Sequence, residues 1–524
     1  MPFFLRYLRE LPLAWFFAGC VFARIGLFLS PTSSPQDRAA WLRRVALAAG
    51  LFVLFAYAAI VLYSLRCFMI QLDEANILSI SAASLRGLPM YNPPTSPDSS
   101  YSIMYGPFTF LIYRIFLMAG GVNHFWIMRG SIVLANLGLC TALYVLLRKF
   151  VSVPTAIALL VFPLSILLQH PQASLGIRAD LWIFLFSALA IVCSFLEVEL
   201  PAVILTGVMC GVLVGLKISA APAILFPLLM LYRRFGLRAP IITLLVTIAT
   251  TFAPFALSNI SLHNYISWIL FTRSEGVNAT LLCKNIAFAL FLIGPVLLME
   301  LFMRRYGIAF RRRLPEFLLI ALCLFLAAST SKPGSGPWYF WHIVPSIVVY
   351  LALMARDLAD IPINEQGVPV YYIAVACTLL ACAFIPRAYG NIKVSMAPGV
   401  GSAQQAIDRY LDLYRDHSSI QMGFGSVDTD YRTELRYVLV YKGQPYTLEG
   451  NTGRFETPLL PFPVNVLNRM ANCKDDVWLL PHAQEPFALW VLPDTLRTTF
   501  LQNYSVDRSD GIYDAWVCNR AKIN

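Results

Sequence analysis

Residues Val45 to Arg66 read VALAAGLFVLFAYAAIVLYSLR, with no charged side chain before the last position. At about 1.5 Å of rise per residue, a helix of this length crosses the roughly 30 Å of hydrocarbon in a bilayer. Outward from this run, similar apolar stretches recur near 125–147, 153–169, 180–196, 201–216, 220–232, 240–259, 284–303, 316–331, 339–355 and 369–386. Together they predict about eleven transmembrane helices and an α-helical polytopic membrane protein. No comparable run follows Arg387, so the membrane domain is expected over 45–386 and a soluble domain over 387–524. Residues 11–30 are also apolar, but Arg24 interrupts them and Arg6, Arg9 and Glu10 precede them. Segment 1–44 therefore reads as cytoplasmic or interfacial, with a twelfth span as the alternative.

Composition points the same way. The 524 residues are 58% hydrophobic and 13% charged, about half the charged share of an ordinary soluble domain. The formal charge of +11 is not a nucleic-acid footprint, because the Lys and Arg residues cluster in short turns between apolar runs. One set of turns holds Arg38, Arg43, Arg44, Arg148, Lys149, Arg233, Arg234, Arg238, Arg304, Arg305, Arg311, Arg312, Arg313 and Arg356. The opposite loops hold Arg86, Arg178, Lys217, Arg273, Lys284 and Lys332, spread over more residues. The positive-inside rule puts the denser set in the cytoplasm. An odd number of spans then puts the tail outside the cytoplasm. Nine of the eleven cysteines lie within or beside apolar segments; Cys473 and Cys518 lie in the tail and could pair in an oxidising compartment.

Within the tail, Ile407, Tyr410, Leu411 and Tyr414 have helical spacing over 403–414. Strand-like runs follow at Ile420–Phe424, Tyr437–Tyr441, Val477–Leu480 and Ala488–Leu492, separated by turn residues. An α/β or α+β domain is expected.

The chemistry is expected in the first extracytoplasmic loop, 67–124. Asp73 and Glu74 directly follow the first span. Adjacent carboxylates at a membrane surface repel, which suits a general base or a metal ligand beside one; a solvated or capping acidic pair is the plainer alternative. The order Asp73-Glu74-Ala75, Leu85-Arg86-Gly87-Leu88-Pro89-Met90-Tyr91, Tyr105-Gly106-Pro107-Phe108-Thr109 and then Arg129 resembles the GT-C superfamily of membrane glycosyltransferases. Within it the resemblance is to bacterial protein-mannosyltransferase-like and aminoarabinose-transferase-like enzymes, related to glycosyltransferase family 39. It extends over about 44–355.

That resemblance implies an inverting transfer of a hexosyl or pentosyl unit from a polyprenyl-phosphate-linked donor. The acceptor would be a cell-envelope glycan, lipid or protein on the extracytoplasmic face, and the setting a bacterial inner membrane. It implies a catalytic set of Asp73, Glu74 and Asp180. Asp73 is the base, and Asp73 and Asp180 could also hold a divalent metal ion. Asp180 also suits a plain helix N-cap. Lys217, Arg178, Arg273 and Lys332 would bind the donor phosphate, although Lys217 could simply snorkel. Arg86, Tyr91, Tyr105 and His342 would line the substrate loop. The aromatic residues after Lys332 fit either sugar stacking or a membrane-interface belt. A polytopic transporter or lipid-linked-saccharide flippase, and a non-catalytic membrane scaffold, are the rival readings. No inverted repeat supports the first of these.

Overall fold

The computed structural model describes residues 12–28, 35–70, 72–93, 105–271, 276–305, 313–332, 335–358, 368–427, 430–447, 464–489 and 492–519. Among them, eight helical stretches are long and apolar enough to cross a membrane: 39–66, 125–148, 199–216, 218–235, 238–256, 279–305, 337–357 and 368–394. The other three expected spans form shorter apolar helices, Val153–Gln169, Ala179–Ser194 and Arg313–Ser329. The protein is thus a polytopic helical membrane protein. Its bundle turns large apolar side chains outward, among them Phe55, Leu137, Leu245, Leu301 and Phe317, each more than half exposed. Water would penalise such a surface and lipid favours it.

Small residues draw helices together where lipid gives no hydrophobic drive. Gly207 and Gly211 of helix Glu199–Leu216 face helix Arg238–Phe252. The Thr247 hydroxyl donates to the Gly207 carbonyl at 3.2 Å, and Thr251 to the Gly211 carbonyl at 3.1 Å. Several basic residues cap helix ends at one face of the bundle: Arg234 donates to the Leu196 carbonyl at 2.7 Å and Lys149 to the Phe195 carbonyl at 3.1 Å.

Three expectations change. Residues 11–30 read as interfacial, but helix Pro12–Phe28 packs against the bundle, with Gly19 on the Ala376 backbone and Phe16 on Phe291. It exposes Phe17, Val21 and Phe22 outward, and an interfacial helix would present a polar face there. The 67–124 segment, read as a loop, contains helices Leu72–Leu85 and Pro107–Gly120. The first is buried nearly all round, polar Asn76, Ser79, Ser81 and Ser84 included. Finally, helix Val368–Val394 continues past Pro386, so the change in composition at 387 falls inside an element.

The tail sits on the bundle. Its sheet has the order β1-β2-β4-β3, with β1 Ile420–Met422, β2 Val477–Pro481, β3 Tyr504–Ser509 and β4 Tyr513–Cys518. β1 is parallel to β2, and the other pairs are antiparallel. Helix Val400–Leu413 covers it, close to the helix expected at 403–414. Tyr437–Tyr441, expected as a strand, lies in helix Arg436–Tyr441; four consecutive buried residues, Tyr437 to Val440, carry no period to separate the two. Ala488 and Leu489 are irregular, and 490–491 fall outside the described residues. Cys473 and Cys518 form a disulfide with Cα atoms 5.9 Å apart, tying the turn before β2 to the end of β4.

Candidate active site

Three chain segments converge at one end of the bundle. Asp73 and Glu74 stand in the first turn of helix Leu72–Leu85, where the positive end of the helix dipole favours acids. Arg178 is the extended residue before helix Ala179–Ser194, and Asp180 lies in that helix's first turn. Lys217 ends helix Glu199–Leu216 in an extended conformation, φ −163°, before a 3₁₀ stretch containing Pro222.

Close backbone approach fixes Lys217 against the start of helix Pro107–Gly120. The Gly106 N–H donates to the Leu216 carbonyl at 2.8 Å and the Thr109 hydroxyl donates to the same oxygen at 3.0 Å. A Cβ on Gly106 would lie 2.2 Å from the Gly215 oxygen. Gly106→Ala is therefore expected to push Lys217 out of place and to cost about 1–3 kcal/mol, the usual range for overpacking. Thermal unfolding of the purified protein measures it.

The charges form a chain. Arg178 Nη1 lies 3.2 Å from Asp73 Oδ2, Arg178 Nε 2.8 Å from Asp180 Oδ2, and Lys217 Nζ 3.7 Å from Asp180 Oδ1. Asp73 keeps 20% of its side chain exposed, against 2% for Asp180, so Asp73 is the more accessible of the two acids. Aromatic rings enclose the cations. Lys217 Nζ is 3.8 Å from the Tyr339 ring centre and 5.0 Å from that of Tyr105, and the Arg178 guanidinium is 5.2 Å from the Trp338 ring. Burial, opposed by the Arg178 charge, holds the Tyr105 phenol well above its usual range, so it stays neutral.

Glu74 does something different from its neighbour. It is fully buried, its Oε2 lies 2.7 Å from Arg129 Nη2, and its Oε1 accepts from the Ile70 N–H at 3.0 Å. Arg129 also donates to the carbonyls of Cys67, Leu175 and Phe68. Burial raises the Glu74 carboxyl, and the Arg129 charge opposes the shift. Glu74 is thus engaged in a buried pair that holds the helix carrying Asp73, and it does not join the Asp73–Arg178–Asp180–Lys217 chain.

Of the other expected residues, Tyr91 is buried and supports Tyr105 by donating to its carbonyl at 2.8 Å. His342 is buried within electrostatic reach of Lys217 and Asp180. Arg86 stands apart, donating to the Val440 and Gln444 carbonyls of the tail, both at 3.1 Å. Lys332 is half-buried and has no ion-pair partner among the described residues. Arg273 lies outside the described residues. Trp338 and Tyr339 belong to the aromatic run after Lys332 that the sequence offers for sugar stacking or a membrane-interface belt, whereas the pairing of Arg129 with Glu74 has no sequence signal.

As a metal pair, Asp73 and Asp180 fit poorly. The Arg178 guanidinium binds both carboxylates, and among the described residues no three His, Cys, Asp or Glu side chains gather as a metal site. Two carboxylates engaged by a guanidinium lack the oxygen set a hard divalent ion takes.

No protein-family model matches the chain, and neither does any curated protein sequence. Solved structures do. ArnT from Cupriavidus metallidurans bound to undecaprenyl phosphate superposes with a TM-score of 0.54 at 14% identity, covering 89% of this chain and 97% of that one. Its apo state gives the same TM-score and identity, with coverage of 90% and 98%. The apo Archaeoglobus fulgidus oligosaccharyltransferase aligns over 82% of this chain and 69% of its own, at 12% identity and a TM-score of 0.44. The near end-to-end match to ArnT assigns the architecture: at 14% identity, the chain shares the fold of that solved structure.

Proposed function

We propose that the protein is an inverting glycosyltransferase that moves a sugar from a polyprenyl-phosphate-linked donor to an envelope glycan, lipid or protein. The reaction takes place on the extracytoplasmic side of a bacterial inner membrane, where the tail domain also lies. The observation that carries this reading is the Asp73–Arg178–Asp180–Lys217 chain at one end of a GT-C bundle.

Asp73 is the general base. It takes the proton of the acceptor hydroxyl as that oxygen bonds to the anomeric carbon, and the bond from that carbon to the phosphate oxygen breaks on the opposite face. Negative charge accumulates on the departing lipid phosphate. Lys217 suits it best, because its partner Asp180 sits at 3.7 Å, beyond hydrogen-bond reach, leaving ammonium protons to spend on a phosphate. Arg178 adds a second cation whose orientation both aspartates fix. Preoriented charge of this kind is usually the largest contribution to such a rate. Asp180 positions the two cations, and Tyr105, Trp338 and Tyr339 offer rings to the sugar. The ArnT structure bound to undecaprenyl phosphate supports the choice of donor class.

Lys217→Met tests the assignment. One charge-assisted contact contributes about 1.5–3 kcal/mol, so kcat/KM for the donor is expected to fall about 10- to 100-fold. An unchanged kcat/KM in a folded variant would remove Lys217 from the phosphate site. The readout is release of polyprenyl phosphate from a labelled donor.

A further inference from the structure

Where the tail meets the bundle there is a cavity of about 330 Å³, at the small end of the range for ligand pockets. Ile70 lines it just before the helix that carries Asp73; Gln172, Asn391 and Met396 come from the bundle side, and Tyr431 and Glu434 from the tail. Glu434 is 4% exposed, and neither of its carboxyl oxygens has a hydrogen-bond partner among the described residues. The neighbouring Arg436 Nη2 lies 3.7 Å from Oε1, too far to satisfy it. A buried carboxyl left with both oxygens unmet calls for an explanation beyond stability.

We propose that this cavity is the saccharide subsite for the acceptor, in which Glu434 hydrogen-bonds sugar hydroxyls. The proposal rests on the sugar-transfer reading above and assigns where that reaction's acceptor is held. Three observations favour a neutral polyol. Among the described residues no lysine or arginine lines the cavity, so a phosphate or carboxylate would find no counter-charge there. Its polar members are two amides, hydroxyls and one carboxyl, which can both donate and accept, while Phe68 and Met396 give apolar surface for a pyranose C–H face. Burial raises the Glu434 carboxyl to about 8, with Glu74, Asp73 and Asp430 adding to the shift and Arg436 opposing it. It is therefore mainly protonated at neutral pH and able to donate. The site also lies beside the reacting end of the bundle: the Ile70 N–H is bound by Glu74, next to Asp73 in sequence.

The test uses the full chain in lipid nanodiscs. The probe is oligosaccharide released by mild acid hydrolysis from the host envelope, and binding is read by saturation-transfer NMR. Wild type and Asp73→Asn should both give saccharide signals. Glu434→Leu should lose at least ten-fold in affinity, whereas Glu434→Gln, which still donates and accepts, should bind within about two-fold of wild type. Ala397→Trp, which fills the cavity from another wall, should also abolish binding, and this covers the case in which Glu434→Leu fails to fold. Undiminished binding by a folded Glu434→Leu or Ala397→Trp protein, or no signal with wild type, would overturn the subsite. If these variants lose binding while wild type transfers no sugar, the cavity stands and the transfer reading fails. If wild type transfers sugar and its binding ignores the cavity, the reverse holds.

Discussion

Replacing Asp73 with asparagine is expected to cut sugar transfer about 100- to 10,000-fold, the usual contribution of a positioned general base, while donor binding stays close to wild type. The separation follows from the geometry. Asparagine keeps a side-chain oxygen for Arg178, whose Nη1 lies 3.2 Å from Asp73 Oδ2, so the guanidinium remains near its place. Arg178 also keeps its 2.8 Å pair with Asp180. What is lost is the ability to take a proton, at the one carboxylate of the chain with 20% of its side chain open to a substrate. A steady-state assay with varied donor separates the effects: kcat should collapse and donor KM should barely move. A rise in donor KM with kcat preserved would make Asp73 a binding group.

The second large effect concerns stability. Arg129→Met is expected to destabilise the protein by about 3–5 kcal/mol, because it leaves Glu74 buried without its counter-charge. Three carbonyls, those of Cys67, Leu175 and Phe68, lose a donor in the same change. Glu74→Gln should cost less. It keeps an oxygen for the Ile70 N–H, and Arg129 keeps its three carbonyl partners. Adding Glu74→Leu to Arg129→Met should recover part of the loss, since no buried charge is then left unpaired. Denaturation in detergent with a fixed lipid ratio measures the series. Equal losses for Arg129→Met and Glu74→Gln would show that the pair does not organise this region.

The sequence made the membrane architecture legible because hydrocarbon demands length and apolarity, and both are written in runs such as Val45–Arg66. Other parts were hidden for identifiable reasons. Helix Leu72–Leu85 interleaves Asn76, Ser79, Ser81 and Ser84 with apolar residues and still buries them, which local polarity does not announce. Several of those groups are satisfied by partners elsewhere, as when Tyr446 of the tail donates to Asn76 at 2.9 Å. Strands β3 and β4 carry Asp507, Arg508 and Asp514 among their residues, which masks their alternation. The acid cluster was half legible. Asp73, Arg178, Asp180 and Lys217 do come together, although they lie on separate segments, but only coordinates reveal that Glu74 turns inward to Arg129. Glu434 had no motif at all. It becomes conspicuous through burial and through carboxyl oxygens that have no hydrogen-bond partner among the described residues, both tertiary properties.

If this charge chain runs a transfer from a lipid phosphate, the purified protein alone should carry it out. The most direct measurement reconstitutes the purified chain in proteoliposomes with a radiolabelled polyprenyl-phosphate sugar and an envelope fraction as acceptor. Label is expected to move to the acceptor with inverted anomeric configuration, together with release of polyprenyl phosphate, with wild type and not with Asp73→Asn. Equal transfer by the two proteins, or retention of the donor's configuration, would contradict it.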